Sequence, residues 1–186
     1  MQLGTLTWSP ALDHPDLLAP STLAALRAWA ERQPAVATAV HVTEIDPGLA
    51  DTAALTEAHD LPLAASANCV LVAGRRAGQE RVAAAVVLAT TRADVNTVVK
   101  RLLDVRKASF LAMDRAVEES QMEYGGITPV GLPTPWRVLV DSRVPAAGDV
   151  VIGSGVRHSK LALPGDLLAQ LPGAEVVEDL SLPRLD

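Results

Sequence analysis

The final third of the chain holds four short apolar segments separated by turn residues, and this pattern constrains the fold more than any other feature. The segments read WRVLVD, DVVIGSG, KLALP and AEVVEDL. Each is five to seven residues long, which suits a β-strand and falls short of a typical buried helix. We therefore expect a fold built on strands in this part, with GDLLAQL as a short helix before the last of them.

Earlier in the chain, helix-like and strand-like patterns alternate. LAPSTLAALRAWAERQP predicts a helix that is capped by Ser21 or Thr22 and ended by Pro34. TAVHVTEI alternates as a strand, and Asp51 caps a short helix in DTAALTEAHD. The apolar runs ANCVLVAG and VAAAVVLATT flank the polar turn GRRAGQER, a pattern typical of a hairpin. Asp94 caps VNTVVKRLLD, and DRAVEESQ predicts another short helix.

Together these patterns predict one α+β domain with a mixed, strongly curved β-sheet flanked by helices. A length of 186 residues fits a single domain, and no repeat or low-complexity linker divides the sequence. We expect residues 1–35 to form an N-terminal helical extension and residues 36–186 to form the main domain.

The composition limits the classes of function. A net charge of −6, with one Phe and one Tyr, disfavours a tight nucleic-acid binder that relies on basic and aromatic surfaces. The single cysteine, Cys69, excludes an internal disulfide and a multi-cysteine zinc site, and four scattered histidines show no metal-ligand spacing, so we expect no metal. The first residues lack a signal-peptide pattern, and no apolar run approaches the ~20 residues of a membrane span. We expect a cytoplasmic protein without a membrane partner.

The segment EYGGITPVG, Glu123 to Gly131, contains more glycine and proline than a plain surface turn requires. Because Gly125 and Gly126 lack Cβ atoms, a substrate can approach their backbone amides closely. Pro129 stiffens the loop. On spacing alone two interpretations stay open, a tight entry into the next strand and a loop that presents its amides to a ligand.

The order of this loop and the segments after it resembles the YbaK/EbsC family, which includes the editing domain associated with some prolyl-tRNA synthetases. The matching pieces are the glycine loop, VLVD ending at Asp141, VVIGSG ending at Gly155, and KLALPGDLLAQL, and the resemblance covers roughly residues 36 to 180. It implies the curved, barrel-like sheet of that family and hydrolysis of the ester in tRNA mischarged with a small amino acid. It also implies mischarged aminoacyl-tRNA and an aminoacyl-tRNA synthetase as partners, and no cofactor.

On this resemblance the candidate catalytic residues are Asn68, Gly125 and Gly126. The glycine amides would hold the oxyanion, and Asn68 would position the substrate. Many family members carry a lysine at the place of Asn68, whose amide forms hydrogen bonds but supplies no charge. The candidate substrate-binding residues lie in the glycine loop and near the GSG turn: Ile127, Thr128, Pro129, Gly131, Ser154, His158 and Lys160.

Several of these residues also have a plain structural interpretation. Lys160 supplies the missing cation from another wall of the pocket, or it is a solvated lysine at a strand end. A turn after a strand explains Ser154, and His158 is either a proton carrier or an exposed loop residue. Cys69, which has no histidine partner in sequence, is interpreted as a small packing residue rather than a nucleophile.

The densest positive charge gives the candidate tRNA-binding surface. It consists of Lys100, Arg101, Arg106 and Lys107, with Arg115 nearby. An acidic protein that binds tRNA must concentrate its positive charge somewhere, although a solvated helix face explains the same run. The alternative to a deacylase is a weak or inactive module of the same fold that binds an aminoacyl-like ligand, tRNA or a synthetase.

Overall fold

A computed structural model describes residues 2–184, so Met1, Leu185 and Asp186, the outer ends of the two predicted segments, lie outside it. The strands in this range are β1 (Ser9–Pro10), β2 (His41–Glu44), β3 (Ala67–Arg76), β4 (Gln79–Leu88), β5 (Thr91–Ala93), β6 (Ala108–Phe110), β7 (Arg137–Asp141), β8 (Asp149–Gly153), β9 (Ser159–Pro164), β10 (Ala174–Val177) and β11 (Ser181–Pro183).

The helices are α1 (Pro20–Arg32), α2 (Val36–Ala39), α3 (Thr52–Ala58), α4 (Lys100–Leu102), α5 (Met113–Ser120) and α6 (Gly165–Leu168). A π-helical turn, Val95–Val99, leads into α4, and short 3-10 turns connect several of the other elements. No helix in residues 2–184 is long and apolar enough to cross a membrane.

The strands form three sheets, and the two larger ones meet at one point. The first is antiparallel with the order β1-β2-β9-β8, and the second is mixed with the order β10-β7-β4-β3-β6. A small third sheet pairs β11 with β5. A parallel bridge between Ser66, just before β3, and Val151 of β8 joins the first sheet to the second. This junction brings the start of β3 beside the end of β8.

The largest hydrophobic cluster lies between the two large sheets and α1. Leu26 and Trp29 of α1 are buried in it together with Val42 of β2, Val140 of β7 and Leu161 of β9. The N-terminal helix therefore shares its core with the strands. The division at residue 35 stays a prediction.

The α+β class, the hairpin of β3 with β4 and the four strands of the final third are confirmed. The mixed sheet is confirmed as well, and the strands between residues 2 and 184 form three sheets that do not close into a barrel. The short strands β1, β5, β6 and β11 were not predicted, since two or three residues carry no readable alternation. At α1 the N-cap is Ala19, not Ser21 or Thr22, because Pro20 at the first helical position already has a helical φ.

Candidate active site

A cavity of about 430 Å³ opens where the two large sheets meet. Its walls come from the start of β3, the end of β8, Lys160 of β9, the first turn of α3 and the glycine loop before β7. Each of these segments ends or turns at this place, so their side chains and backbone groups converge on one space. The cavity is therefore assembled from parts of the chain that are far apart in sequence.

Lys160 is the buried cation of this cavity. Its side chain belongs to β9, which pairs with β2 on one side and β8 on the other, and only 7% of the residue is exposed. The Nζ atom donates hydrogen bonds to the carbonyl oxygens of Ala50 at 2.8 Å and Gly125 at 2.9 Å. An ammonium has three N–H groups, and the third has no partner among residues 2–184. Lys160 is thus not a solvated lysine at a strand end.

Burial sets the acidity of this lysine. Loss of solvation and, to a smaller extent, repulsion by Arg157 lower the pKa of Lys160 from 10.5 to about 8, while the carboxylate of Asp51 opposes the shift. The ammonium form still predominates at neutral pH. A neutral amine has two N–H groups and an ammonium has three. Lys160 must therefore be protonated to keep both of its hydrogen bonds and to donate a third one to a ligand.

Asn68 faces the same cavity from the start of β3. Its Oδ1 atom accepts a hydrogen bond of 2.8 Å from the hydroxyl of Thr52, the first residue of α3. In this orientation of the amide, its oxygen accepts the hydroxyl proton of Thr52. The Nδ2 group is left as a donor with no partner in the part of the chain that the structure describes. Thr52 had not been identified from sequence, although it directly follows the predicted cap Asp51.

The two glycines of the loop have different surroundings. Gly125 lines the cavity and has a positive φ of +82°. Its carbonyl oxygen accepts a hydrogen bond from Lys160, and its N–H has no partner among residues 2–184. Gly126 is buried behind it, and its N–H donates to the carbonyl oxygen of Glu123 at 2.9 Å. A Cβ atom on Gly126 would collide with the backbone of Val156. The amide of Gly126 is therefore engaged within the loop, and Gly125 is the one of these two glycines whose N–H has no partner among the described residues.

The structure brings four of the predicted site residues to the cavity wall: Asn68, Gly125, Ile127 and Lys160. The others lie outside that wall. Thr128 is fully buried, and Pro129 and Gly131 line a separate groove beside α1. Ser154 is buried and bonds to Ser159 Oγ at 2.7 Å, while His158 contributes its carbonyl oxygen to a backbone bond from Ile45.

Cys69 also lines the cavity but is not activated. Burial raises the pKa of its thiol to about 12, so the sulfur is protonated at neutral pH. The thiolate and not the thiol is the nucleophile. This agrees with the interpretation of Cys69 as a packing residue.

A larger depression of about 720 Å³ lies elsewhere on the surface, beside β4 and β7. Its charged groups are already paired. Arg81 bonds to Asp104, Arg137 bonds to Glu175, and Glu80 bonds to Arg115. Paired surface charges of this kind leave no group free to act on a substrate, so the smaller cavity is the candidate site.

Positive charge is concentrated in one stretch of the chain. Residues 75–107 hold eight of the sixteen basic residues against three acidic ones. Arg75, Arg76 and Arg81 form ion pairs with Glu80 or Asp104. The predicted tRNA-binding residues Lys100, Arg101, Arg106 and Lys107 enter no ion pair in the described range, and all but the half-buried Lys100 are exposed.

Strand β3 links this basic surface to the cavity. Lys107 packs its carbonyl oxygen against Gly74, six residues along β3 from Asn68. At about 3.4 Å per residue the two positions are roughly 20 Å apart.

Comparison with known proteins places the fold. A family model for the aminoacyl-tRNA editing domain matches residues 46–171. A crystal structure of a hypothetical protein is 20% identical with a TM-score of 0.71, covering 85% of this chain and 99% of that one. A candidate trans-editing enzyme for prolyl-tRNA synthetase is 19% identical with a TM-score of 0.68, covering 87% and 97%. A search of curated proteins finds no match.

Proposed function

Because the chain belongs to the family of aminoacyl-tRNA editing domains, we propose that it is a deacylase that hydrolyses the ester of tRNA charged with a wrong, small amino acid. The observation that supports this most is that three of the residues that line one cavity each keep a hydrogen-bond donor with no partner in the described range. The donors are the third N–H of Lys160, the Nδ2 group of Asn68 and the N–H of Gly125. Donors fixed in advance are what an ester carbonyl needs as it becomes an oxyanion.

In the proposed reaction, water attacks the carbonyl carbon of the aminoacyl ester, and its electron pair forms the new C–O bond. The carbonyl oxygen becomes negative and is stabilised by the ammonium of Lys160 and the amide of Asn68. The intermediate then collapses and breaks the bond to the ribose oxygen, which leaves with a proton from the attacking water. The products are the free amino acid and uncharged tRNA.

The cavity wall supports a small amino acid as the substrate. Between the polar groups, the wall includes the short side chains of Ala50, Ala53 and Ala67, and larger apolar side chains narrow the remaining space: Leu55, Leu63, Val70, Ile127, Val151 and Ile152. A pocket excludes a larger side chain by steric contact more effectively than it rejects a smaller one. We therefore expect the hydrolysis rate to fall as the side chain of the attached amino acid grows.

The basic surface supports tRNA as the carrier of the ester. Lys100, Arg101, Arg106 and Lys107 are free of ion pairs in the described residues and are available for phosphates. Phosphate contacts fix the position of a nucleic acid without reading its sequence. We propose that this surface holds the tRNA while its charged end enters the cavity.

The test is hydrolysis of a panel of radiolabelled mischarged tRNAs that carry amino acids of increasing size. The parent protein is expected to release the smaller amino acids above the rate without protein. Asn68→Ala should lower turnover on the order of 100-fold, as loss of one oxyanion donor does. Asn96→Ala is the matched control, since Asn96 is the other asparagine of the chain and is exposed in the turn before α4.

Two results would contradict the proposal. Rates equal to the blank for every tRNA of the panel would leave a binding module of the same fold. Hydrolysis that Asn68→Ala does not reduce would show that the ester is cleaved somewhere other than this cavity. Melting curves of each variant separate loss of activity from loss of folding.

A further inference from the structure

Tyr124 is an exposed aromatic residue at the mouth of the candidate active site. It is the only tyrosine of the chain, and 55% of it is exposed. It lines the cavity next to Gly125, whose carbonyl oxygen holds the ammonium of Lys160. Folding normally removes much of an aromatic ring from water. This ring instead remains open beside the proposed reaction centre.

The loop is held in this position by Arg157. The Nη1 atom of Arg157 donates to the carbonyl oxygen of Tyr124 at 3.1 Å, and the backbone N–H of Arg157 donates to Glu123 Oε2 at 2.6 Å. The guanidinium carbon lies 5.5 Å from the centre of the Tyr124 ring. One face of the ring is thus covered by a cation. The ring is supported from one side and remains exposed to a ligand on the other.

We propose that Tyr124 is a stacking platform for the terminal adenine of the aminoacyl-tRNA. This inference rests on the proposed deacylase function. The ester of an aminoacyl-tRNA is attached to the ribose of the terminal adenosine, so the base lies on the same nucleoside as the reacting group. When the ester carbonyl contacts Lys160, the ribose lies at the mouth of the cavity. The adenine is then within reach of the ring one residue before Gly125.

The chemistry of the platform suits this ligand. Single-stranded nucleotides bind proteins by stacking bases on aromatic rings and by placing phosphates near basic groups. Tyr124 supplies the ring, and the partly buried Arg157 supplies a positive charge next to it. The terminal adenosine is common to all tRNAs, so this contact would fix the position of the ester for any tRNA. Selection among amino acids would then be left to the cavity wall.

The test uses the full chain and two RNA minihelix substrates. One ends in the aminoacylated adenosine, and the other carries an abasic terminal nucleotide with the same ester. Tyr124→Ala is expected to raise KM for the first roughly tenfold or more, with kcat nearly unchanged. It should leave KM for the abasic substrate at the parental value. Tyr124→Phe keeps the ring and should keep the parental KM on both.

Titration with the uncharged minihelices separates this inference from the deacylase proposal, because it requires no hydrolysis. Tighter binding of the intact minihelix than of the abasic one, by a margin that Tyr124→Ala removes, supports the platform even in a protein that shows no turnover. Equal affinity of the parent for the two minihelices overturns it. So does a KM rise in Tyr124→Ala that is the same for both substrates, or a KM rise in Tyr124→Phe as large as that in Tyr124→Ala.

Discussion

Replacing Lys160 by methionine is expected to separate activity from stability. Methionine is apolar and of similar length, so it can fill the space of the buried lysine stem. The variant loses the ammonium that we propose for the oxyanion, and turnover should fall on the order of 100-fold or more. The melting temperature should change much less, because the parent keeps a charge in a buried place at a cost that the variant does not have.

That cost follows from the acidity of Lys160. Its pKa is lowered from 10.5 in the unfolded chain to about 8 in the fold. The unfolded chain therefore binds more protons at this residue at pH values between the two pKa values. Stability must rise with pH in that interval. The full difference corresponds to about 3 kcal/mol, and roughly 1.3 kcal/mol of it is recovered between pH 7 and pH 9.

The assay is chemical denaturation of the parent and of Lys160→Met at pH 7, 8 and 9. Cys69 also titrates differently in the two states, because burial raises the pKa of its thiol from 9.0 to about 12. Its contribution lowers stability as the pH rises through 9 and cancels when the variant is subtracted from the parent. The difference in the free energy of unfolding, parent minus variant, should rise by roughly 1.3 kcal/mol between pH 7 and pH 9. Lys107→Met controls for the loss of one positive charge at an exposed position.

Activity should follow the same group with the opposite sign. The proposed oxyanion donor is the protonated amine, so kcat/KM of the parent should fall as the pH rises through about 8. Two results would refute the reasoning. One is a stability difference between parent and Lys160→Met that stays constant from pH 7 to pH 9. The other is turnover that survives the substitution.

Thr52→Val removes the hydroxyl that orients the Asn68 amide and should lower kcat roughly tenfold, since misplaced catalytic groups cost that much or more. Thr52→Ser keeps the hydroxyl and should keep the parental kcat. An unchanged kcat in Thr52→Val would contradict the role of this hydrogen bond. Gly126→Ala and Gly125→Ala should both lower the melting temperature, the first because its Cβ meets the Val156 backbone and the second because a φ of +82° strains any residue that has a Cβ. An unchanged melting temperature of Gly126→Ala in calorimetry would contradict this packing. Lys107→Glu should raise KM for tRNA and lessen its salt dependence, while Arg27→Glu, on the exposed side of α1, should change neither by a comparable amount.

The order of strands and helices could be predicted because each long element carries its own local pattern. Asp51 and Asp94 do cap the elements that follow them, with Ala53 and Thr97 donating to their carboxylates. The glycine loop was recognisable because three glycines and a proline in nine residues are rare in a plain turn. These features are local, and local features are legible in one sequence.

The wall of the cavity could be predicted only in part because its contacts are long-range. Thr52 and Asn68 meet across 16 residues, and Lys160 reaches Ala50 across 110. Whether Lys160 is buried depends on β9 being central in its sheet, and a strand covered on both sides has no alternating pattern to reveal its neighbours. The separate surroundings of Gly125 and Gly126 depend on Val156, which the sequence does not place beside them.

Asn68 and Lys160 enter the cavity from two different sheets, so a lysine at one position would disfavour the charged form of a lysine at the other. The substitution Asn68→Lys would bring a second ammonium into the same 430 Å³, where repulsion between like charges would lower the pKa of both amines. The residue at position 68 of β3 therefore affects the charge of the residue at position 160 of β9, and the reverse also holds. Two substitutions, Asn68→Lys with Lys160→Met, would transfer the lysine ammonium from one sheet to the other. Either substitution alone would give a cavity with two lysine ammonium groups or with none.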